Sequence, residues 1–271
     1  MTMQTQIEIL FKKPPHYTQD DIELFHAFKK ELNEGKIRAC TKEKGVWVVH
    51  PWIKMGILLG FRMGLLTEMK EAGDQPFFDK DTYPLKKIRV DDKVRIVPGG
   101  TSVRDGCYVA PGVTIMPPVF VNTGAYIDEG CLIDSHALVG SCAQVGKNVH
   151  LSAAAILGGV LEPVGNSPVI IEDNVFIGGN TGLYEGVIVK ENAIIAAGTV
   201  ITAGTPVYDS VNGKYLDKVR CEAVVIPPNA VVVPGSREIA SHPGFHVYCP
   251  IIIKYRDSKS DRSVELEMDL R

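Results

Sequence analysis

The chain has 271 residues, a formal net charge of −3, and 45% hydrophobic against 23% charged residues. This ordinary globular profile suits one large domain or two smaller ones, and it carries no basic surplus for nucleic acid or an anionic membrane surface. No apolar run reaches the ~18 residues that span a bilayer, and the opening MTMQTQIEILFKKPP lacks the segments of an export signal, so a cytoplasmic protein is expected.

Residues 1 to about 90 predict a mixed, mainly helical unit. TQDDIELFHAFKKELNEG opens on Thr18 and acidic residues, then sets Ile22, Phe25, Phe28 and Leu32 at helical spacing, with Gly35 as the stop. IRACTKEKGVWVVH predicts a hairpin that turns between Lys42 and Gly45. PWIKMGILLGFRMGLLTEM returns to helix, with Pro51 at its first position.

From Val97 the pattern changes. Steps of six give Val97, Val103, Val109, Ile115, Val121, Ile127, Ile133, Val139, Val145, Leu151 and Leu157, all aliphatic. After an insertion at 163–170 the register resumes at Ile171 and runs through Ile177, Leu183, Val189, Ile195 and Ile201 to Val207. Ile226 and Val232 follow a polar loop, and small or β-branched residues such as Ala125, Ala137 and Val175 stand four places after many anchors.

Six is even, so in extended chain every anchor faces the same side. A straight strand from Val97 to Leu157 would run roughly 200 Å, so the chain must bend about once per hexad. Gly, Asn, Asp and Pro inside the hexads suit such bends. The product is a stacked parallel β-solenoid with aliphatic ladders inside, whereas a sandwich would space its strands irregularly. FHVYCPIIIKYRDSKSDRSVELEMDL predicts a strand, a polar turn and a further strand or short helix, able to cap the solenoid's open end. The six cysteines show no CxxC and no metal-ligand spacing, so no metal is expected and most read as small apolar fillers.

The hexads resemble those of the hexapeptide acyltransferases, which form left-handed parallel β-helices with three hexads per coil. NTGAYIDEGCLIDSHALVGSCAQVGKNVHLS (122–152) and GGVLEP (158–163) more closely resemble the tetrahydrodipicolinate N-succinyltransferase family, as do VWVVHPWIKMGILLGFR, FFDK and VYCPIIIK. That resemblance implies a mainly β fold: a left-handed parallel β-helix over 91–235, a mainly helical N-terminal domain over 1–90 and a small β cap over 236–271. It also implies succinyl transfer from succinyl-CoA to the amine of ring-opened tetrahydrodipicolinate, 2-amino-6-oxopimelate, on the diaminopimelate and lysine pathway. The implied assembly is a homotrimer with active sites between neighbouring solenoids.

Such a transfer needs an amine that loses a proton, an acceptor held near the thioester carbon, and a stabilised oxyanion. Asp134, after the inward anchor Ile133, matches the family's acceptor-binding acid; otherwise it would be a solvated turn residue. Arg95 matches the family's substrate-binding arginine, and Arg104 is a second candidate for a carboxylate clamp. For coenzyme A the candidates are Gly204, Lys190, Lys218, Arg220 and Lys254, none within a phosphate-loop signature and each readable as plain surface. His150 reads better as a corner residue than as a catalyst, whereas His136, where the family usually has Trp, could form a base pair with Asp134.

Where the family reads F-I-G-A-R-S-E-x-x-E-G, this chain has FIGGNTGLYEG. The family's Arg and first Glu fall on Asn180 and Gly182, and Glu185 fills the peripheral acidic position. Restoring Glu at 182 is therefore expected to raise succinyl transfer. Three readings stay open: the succinyltransferase, a paralogue using acetyl-CoA or a related acceptor in a tabtoxin-like antimetabolite pathway, and a non-catalytic solenoid.

Overall fold

A computed structural model describes residues 1–69, 77–217 and 224–256 of the chain. Three helices, α1 (Met3–Phe11), α2 (Gln19–Asn33) and α3 (Pro51–Met63), share an apolar core built on Ile7, Leu10, Phe25, Phe28 and Ile57. Thr18 and Asp21 cap α2 reciprocally: the Asp21 N–H donates to Thr18 Oγ1 at 3.3 Å, and the Thr18 N–H to Asp21 Oδ2 at 3.0 Å. The expected hairpin pairs β1 (Cys40–Glu43) with β2 (Val46–Val49), turning on Lys44 and Gly45 at φ of 48° and 82°.

Two features of this unit depart from the sequence reading. α1 was not anticipated. The helix from Pro51 also stops at Met63, and β3 (Leu66–Met69) pairs instead with β4 (Phe77–Lys80). The reason is a distant partner. The Leu65 N–H donates to Asp81 Oδ1 at 2.9 Å and Lys80 Nζ to the Gly64 carbonyl at 2.8 Å, which holds the chain extended past the helix end.

Beyond Arg95 the chain winds into a parallel β-helix with three faces. Face A stacks Arg95–Ile96, Thr114–Ile115, Leu132–Ile133, His150–Leu151, Phe176–Ile177, Ile194–Ile195 and Ala230–Val233. Face B runs from Ser102–Val103 through Leu138–Val139 and Gly182–Leu183 to Val200–Ile201. Face C runs from Tyr108–Val109 through Gln144–Val145 to Val224–Ile226. Leu132 pairs with His150, eighteen residues on, so three hexads make one coil.

Every anchor from Val103 to Val232 is buried, and so are Ala125, Ala137, Ala143, Val175, Val187 and Ala193, each four places after an anchor. The corners use left-handed backbone, and Asn148, Asn174, Asn192 and Asn229 sit there at φ between 54° and 62°. This explains why Asn and Gly recur at fixed intervals in the sequence.

The N-terminal unit covers face C. Trp47 Nε1 donates to Glu172 Oε1 at 2.7 Å, and Lys54, fully buried, donates to the Asn166 carbonyl at 2.6 Å, pinning the excursion between Leu157 and Ile170. Ile251–Tyr255 pairs antiparallel with Ala230–Val233 and covers the last strand edge of face A, while the expected polar turn and the element after it lie beyond residue 256, outside the described residues. A hairpin of Ser236–Ile239 with His242–Tyr248, not anticipated from sequence, precedes it.

Candidate active site

The A/B corner stacks Asp134, Ser152 and Gly178, each immediately after a face A anchor. Their N–H groups donate to the next coil at 2.8, 2.9 and 2.7 Å respectively, so the corner is a regular backbone ladder. Asp134 is half-buried, and its Oδ1 accepts the Ser135 N–H at 2.7 Å. Its second oxygen has no hydrogen bond among the described residues. A carboxylate held by one oxygen and open at the other is suited to accept a hydrogen bond, then a proton, from an amine.

His136 does not join it. No hydrogen bond links the two among the described residues, because His136 turns left-handed at φ 63°, which breaks the alternation that would align residues two apart. Ala154 and Asn180 occupy the same left-handed column at φ 57° and 54°, so Asn180 fits its backbone as well as its place in the motif. His150 lies buried on face A with its ring edge-on to Phe176 at 5.0 Å, a packing role.

Arg95 is exposed on the first strand of face A and has no side-chain partner among the described residues. It lies two coils from Asp134, about 10 Å along the axis at the ~4.8 Å strand spacing. Arg104 is already engaged. It pairs with Asp79 of β4, donates to Asn122 Oδ1 at 3.3 Å and lies 5.2 Å from the Phe61 ring centroid.

The coenzyme A candidates do not form one cluster. Lys190, at the C/A corner, pairs with Glu172 at 3.0 Å, so its charge is used internally. Gly204 is exposed in a turn beyond face B, and Lys254 is exposed on the capping strand opposite Val231. Lys218 and Arg220 lie outside the described residues.

Sequence reasoning missed Tyr184. A Cβ built on Gly182 would lie 2.7 Å from Tyr184 Cε2 and 3.1 Å from its hydroxyl, and one on Gly158 would lie 2.9 Å from Cδ1. The Tyr184 ring therefore covers both glycines where the motif comparison expects a carboxylate. The signal was present, since residues 182 and 184 share a side in extended chain. Glu185 bonds Asn166 Nδ2 and so secures the neighbouring excursion.

The expected reversion at position 182 must therefore displace the Tyr184 ring. Gly182→Glu alone can turn that half-buried side chain aside at little cost in melting temperature, and it is expected to raise kcat/KM with succinyl-CoA less than Gly182→Glu with Tyr184→Ala, which clears the space. A double variant no faster than the single one would refute the obstruction.

Among the described residues Cys40, Cys107 and Cys142 are poor nucleophiles, because burial pushes their thiols up to about 12. Among the described residues no group of three or more His, Cys, Asp or Glu could hold a metal ion, and no helix is long and apolar enough to cross a membrane.

Three hexads per coil, carrying a polar corner on a solenoid, define a hexapeptide-repeat acyltransferase built on the left-handed β-helix, and residues 168–203 match the family model described as the hexapeptide repeat of succinyl-transferase. Residues 2–63 match the model of the tetrahydrodipicolinate N-succinyltransferase N-terminal region. A Legionella pneumophila (strain Corby) protein named 2,3,4,5-tetrahydropyridine-2,6-dicarboxylate N-succinyltransferase is 39% identical over 282 residues, covering 100% of this chain and 98% of its own. Relatives of the same name from Acidovorax sp. (strain JS42) and Idiomarina loihiensis are 44% and 41% identical, each covering 89% of this chain and 86% of its own. The chain belongs to the tetrahydrodipicolinate N-succinyltransferase family.

Proposed function

We propose that the chain is a cytoplasmic N-acyltransferase that moves succinyl from succinyl-CoA to the amine of 2-amino-6-oxopimelate, the open form of tetrahydrodipicolinate. The observation that carries this reading is likeness of 39% along the whole chain to a relative named for that acceptor and acyl group. The half-buried Asp134, with one oxygen open, supports it. Asp134 accepts the ammonium proton, the freed amine attacks the thioester carbonyl, and the tetrahedral adduct collapses to the amide with loss of the coenzyme A thiolate, which takes up the second proton released from the nitrogen. Arg95 pairs with a carboxylate of the acceptor.

The domain boundaries at about 90 and 235 belong to this reading, as does a homotrimer with sites between subunits. The outward rows of faces A and B support the assembly. Phe120 and Val200 on face B are 41% and 40% exposed, and Leu132, Phe176 and Ile194 on face A are only half-buried, whereas the N-terminal unit covers face C.

A second reading rests on Tyr184 over Gly182: a neutral phenol in place of a carboxylate favours a paralogue with a different donor or acceptor. Release of free thiol from succinyl-CoA and from acetyl-CoA, each with 2-amino-6-oxopimelate, separates the two. The first reading expects succinyl-CoA to be the better donor; release with acetyl-CoA alone would overturn it.

A further inference from the structure

Away from the A/B corner, the junction between the β1–β2 hairpin and the C/A corner holds an arginine whose binding capacity the fold does not use. Arg38, just before β1, lays its guanidinium 3.5 Å from the Tyr126 ring centroid, with the Trp47 ring at 5.8 Å. Its Nε donates to Gln144 Oε1 at 2.7 Å. Gln144 is fully buried and fixed by its own amide, which donates to the Cys142 and Ala143 carbonyls at 2.8 and 3.3 Å. The guanidinium is therefore clamped on its face and along one edge. Among the described residues it has no ion-pair partner, and its two terminal nitrogens make no hydrogen bond.

Arg38 lines a cavity of about 300 Å³, the size of a small metabolite rather than a coenzyme, whose walls also include Trp47, Asp128, Glu172, Asp173 and Glu191. Lys42 and Lys190 both pair with Glu172 Oε1 at 3.0 Å, which more than offsets that carboxylate's single charge and leaves Asp128, Asp173 and Glu191 as the wall's other carboxylates. Asp128 and Asp173 each spend one oxygen on a backbone N–H of the corner. The remaining wall thus has one guanidinium with open donors facing an excess of carboxylate acceptors. A bare anion would satisfy Arg38 but be repelled by that wall, and a bare amine would leave Arg38 unpaired in a site where burial already holds its pKa below the ordinary range.

We propose that this cavity binds a free amino acid as its zwitterion, the α-carboxylate paired with the terminal nitrogens of Arg38 and the ammonium with the carboxylates of Glu191 and Asp128. The ligand would bridge the N-terminal unit and the solenoid, at a different corner from Asp134. A monocarboxylic amino acid fits better than a dicarboxylic one, because among the described residues Arg38 is the one cation of the wall without an ion-pair partner.

Titration calorimetry and thermal shift on the full chain test this with L-alanine, L-lysine and L-glutamate. Propionate and ethylamine serve as probes that lack the ammonium or the carboxylate. Expected is saturable binding of L-alanine or L-lysine, stronger than of L-glutamate and at least ~10-fold stronger than of either half-probe. Arg38→Gln should weaken that binding on the order of 10-fold or more, and Glu191→Gln, which leaves the Arg38 stack intact, should also weaken it. Asp134→Asn should leave it unchanged. The proposal is overturned if no amino acid binds saturably, if propionate binds as well as L-alanine, or if binding survives Arg38→Gln and Glu191→Gln but is lost in Asp134→Asn.

Discussion

Asp134→Asn is expected to slow acyl transfer by ~10²-fold or more while leaving the fold intact. The substitution is nearly isosteric, and an amide keeps the oxygen that accepts the Ser135 N–H at 2.7 Å. It removes only the capacity to take a proton at the open oxygen. The loss should therefore fall on kcat, with an unchanged melting temperature. Thiol release and thermal unfolding measured side by side decide the matter. Unchanged turnover takes Asp134 out of the chemistry, and a large fall in melting temperature would make it a corner residue of the solenoid.

Gly178→Ala should be the most damaging single methyl on the same corner. A Cβ at Gly178 would lie 2.4 Å from the Ala197 nitrogen and 2.8 Å from the Ala196 carbonyl carbon, both backbone of the next coil. Backbone cannot rotate away as a side chain can. Relief requires lengthening the Gly178 N–H to Ile195 carbonyl bond, now 2.7 Å, or the Gly198 N–H to Gly179 carbonyl bond, now 2.9 Å. Overpacking of this kind costs about 3 kcal/mol, a fall in melting temperature on the order of 10 °C. Gly204→Ala is the control, since its Cβ would meet only Thr202 Oγ1 at 3.9 Å and should change stability by less than ~0.5 kcal/mol. A Gly178→Ala protein that melts with the parent chain would mean that the coils part more easily than the ladder implies.

Part of this molecule was legible because a solenoid repeats one local rule. Each anchor from Val103 to Val232 meets its counterpart in the next coil, so the same demand for an aliphatic side chain returns every six residues. The hairpin at Lys44 and Gly45 and the cap of α2 were legible for the same reason: the groups that define them lie within a few residues of one another. α1 was missed because only Ile7 and Leu10 are buried on it, too sparse a stripe to stand out before α3 is packed against it. The strand at Leu66–Met69 reads as helix from sequence because its partner, Phe77–Lys80, and the Asp81 carboxylate come later in the chain.

The site divides along the same line. Asp134 and Arg95 could be picked out from motif and residue type, but their separation by two coils follows from stacking. Lys190 and Arg104 looked like free cations in the sequence, and only the folded chain gives them Glu172 and Asp79 as partners. Tyr184 over Gly182, and Arg38 clamped between Gln144 and Tyr126, are contacts that no spacing announces in full. By itself the sequence determined the solenoid, its register and the chemical type of the acceptor corner, since those depend on periodic burial and on residues close in the chain. Only the tertiary structure decided which charges are already paired and which face a cavity, because partners distant in sequence meet only when the coils stack and the N-terminal unit closes on face C.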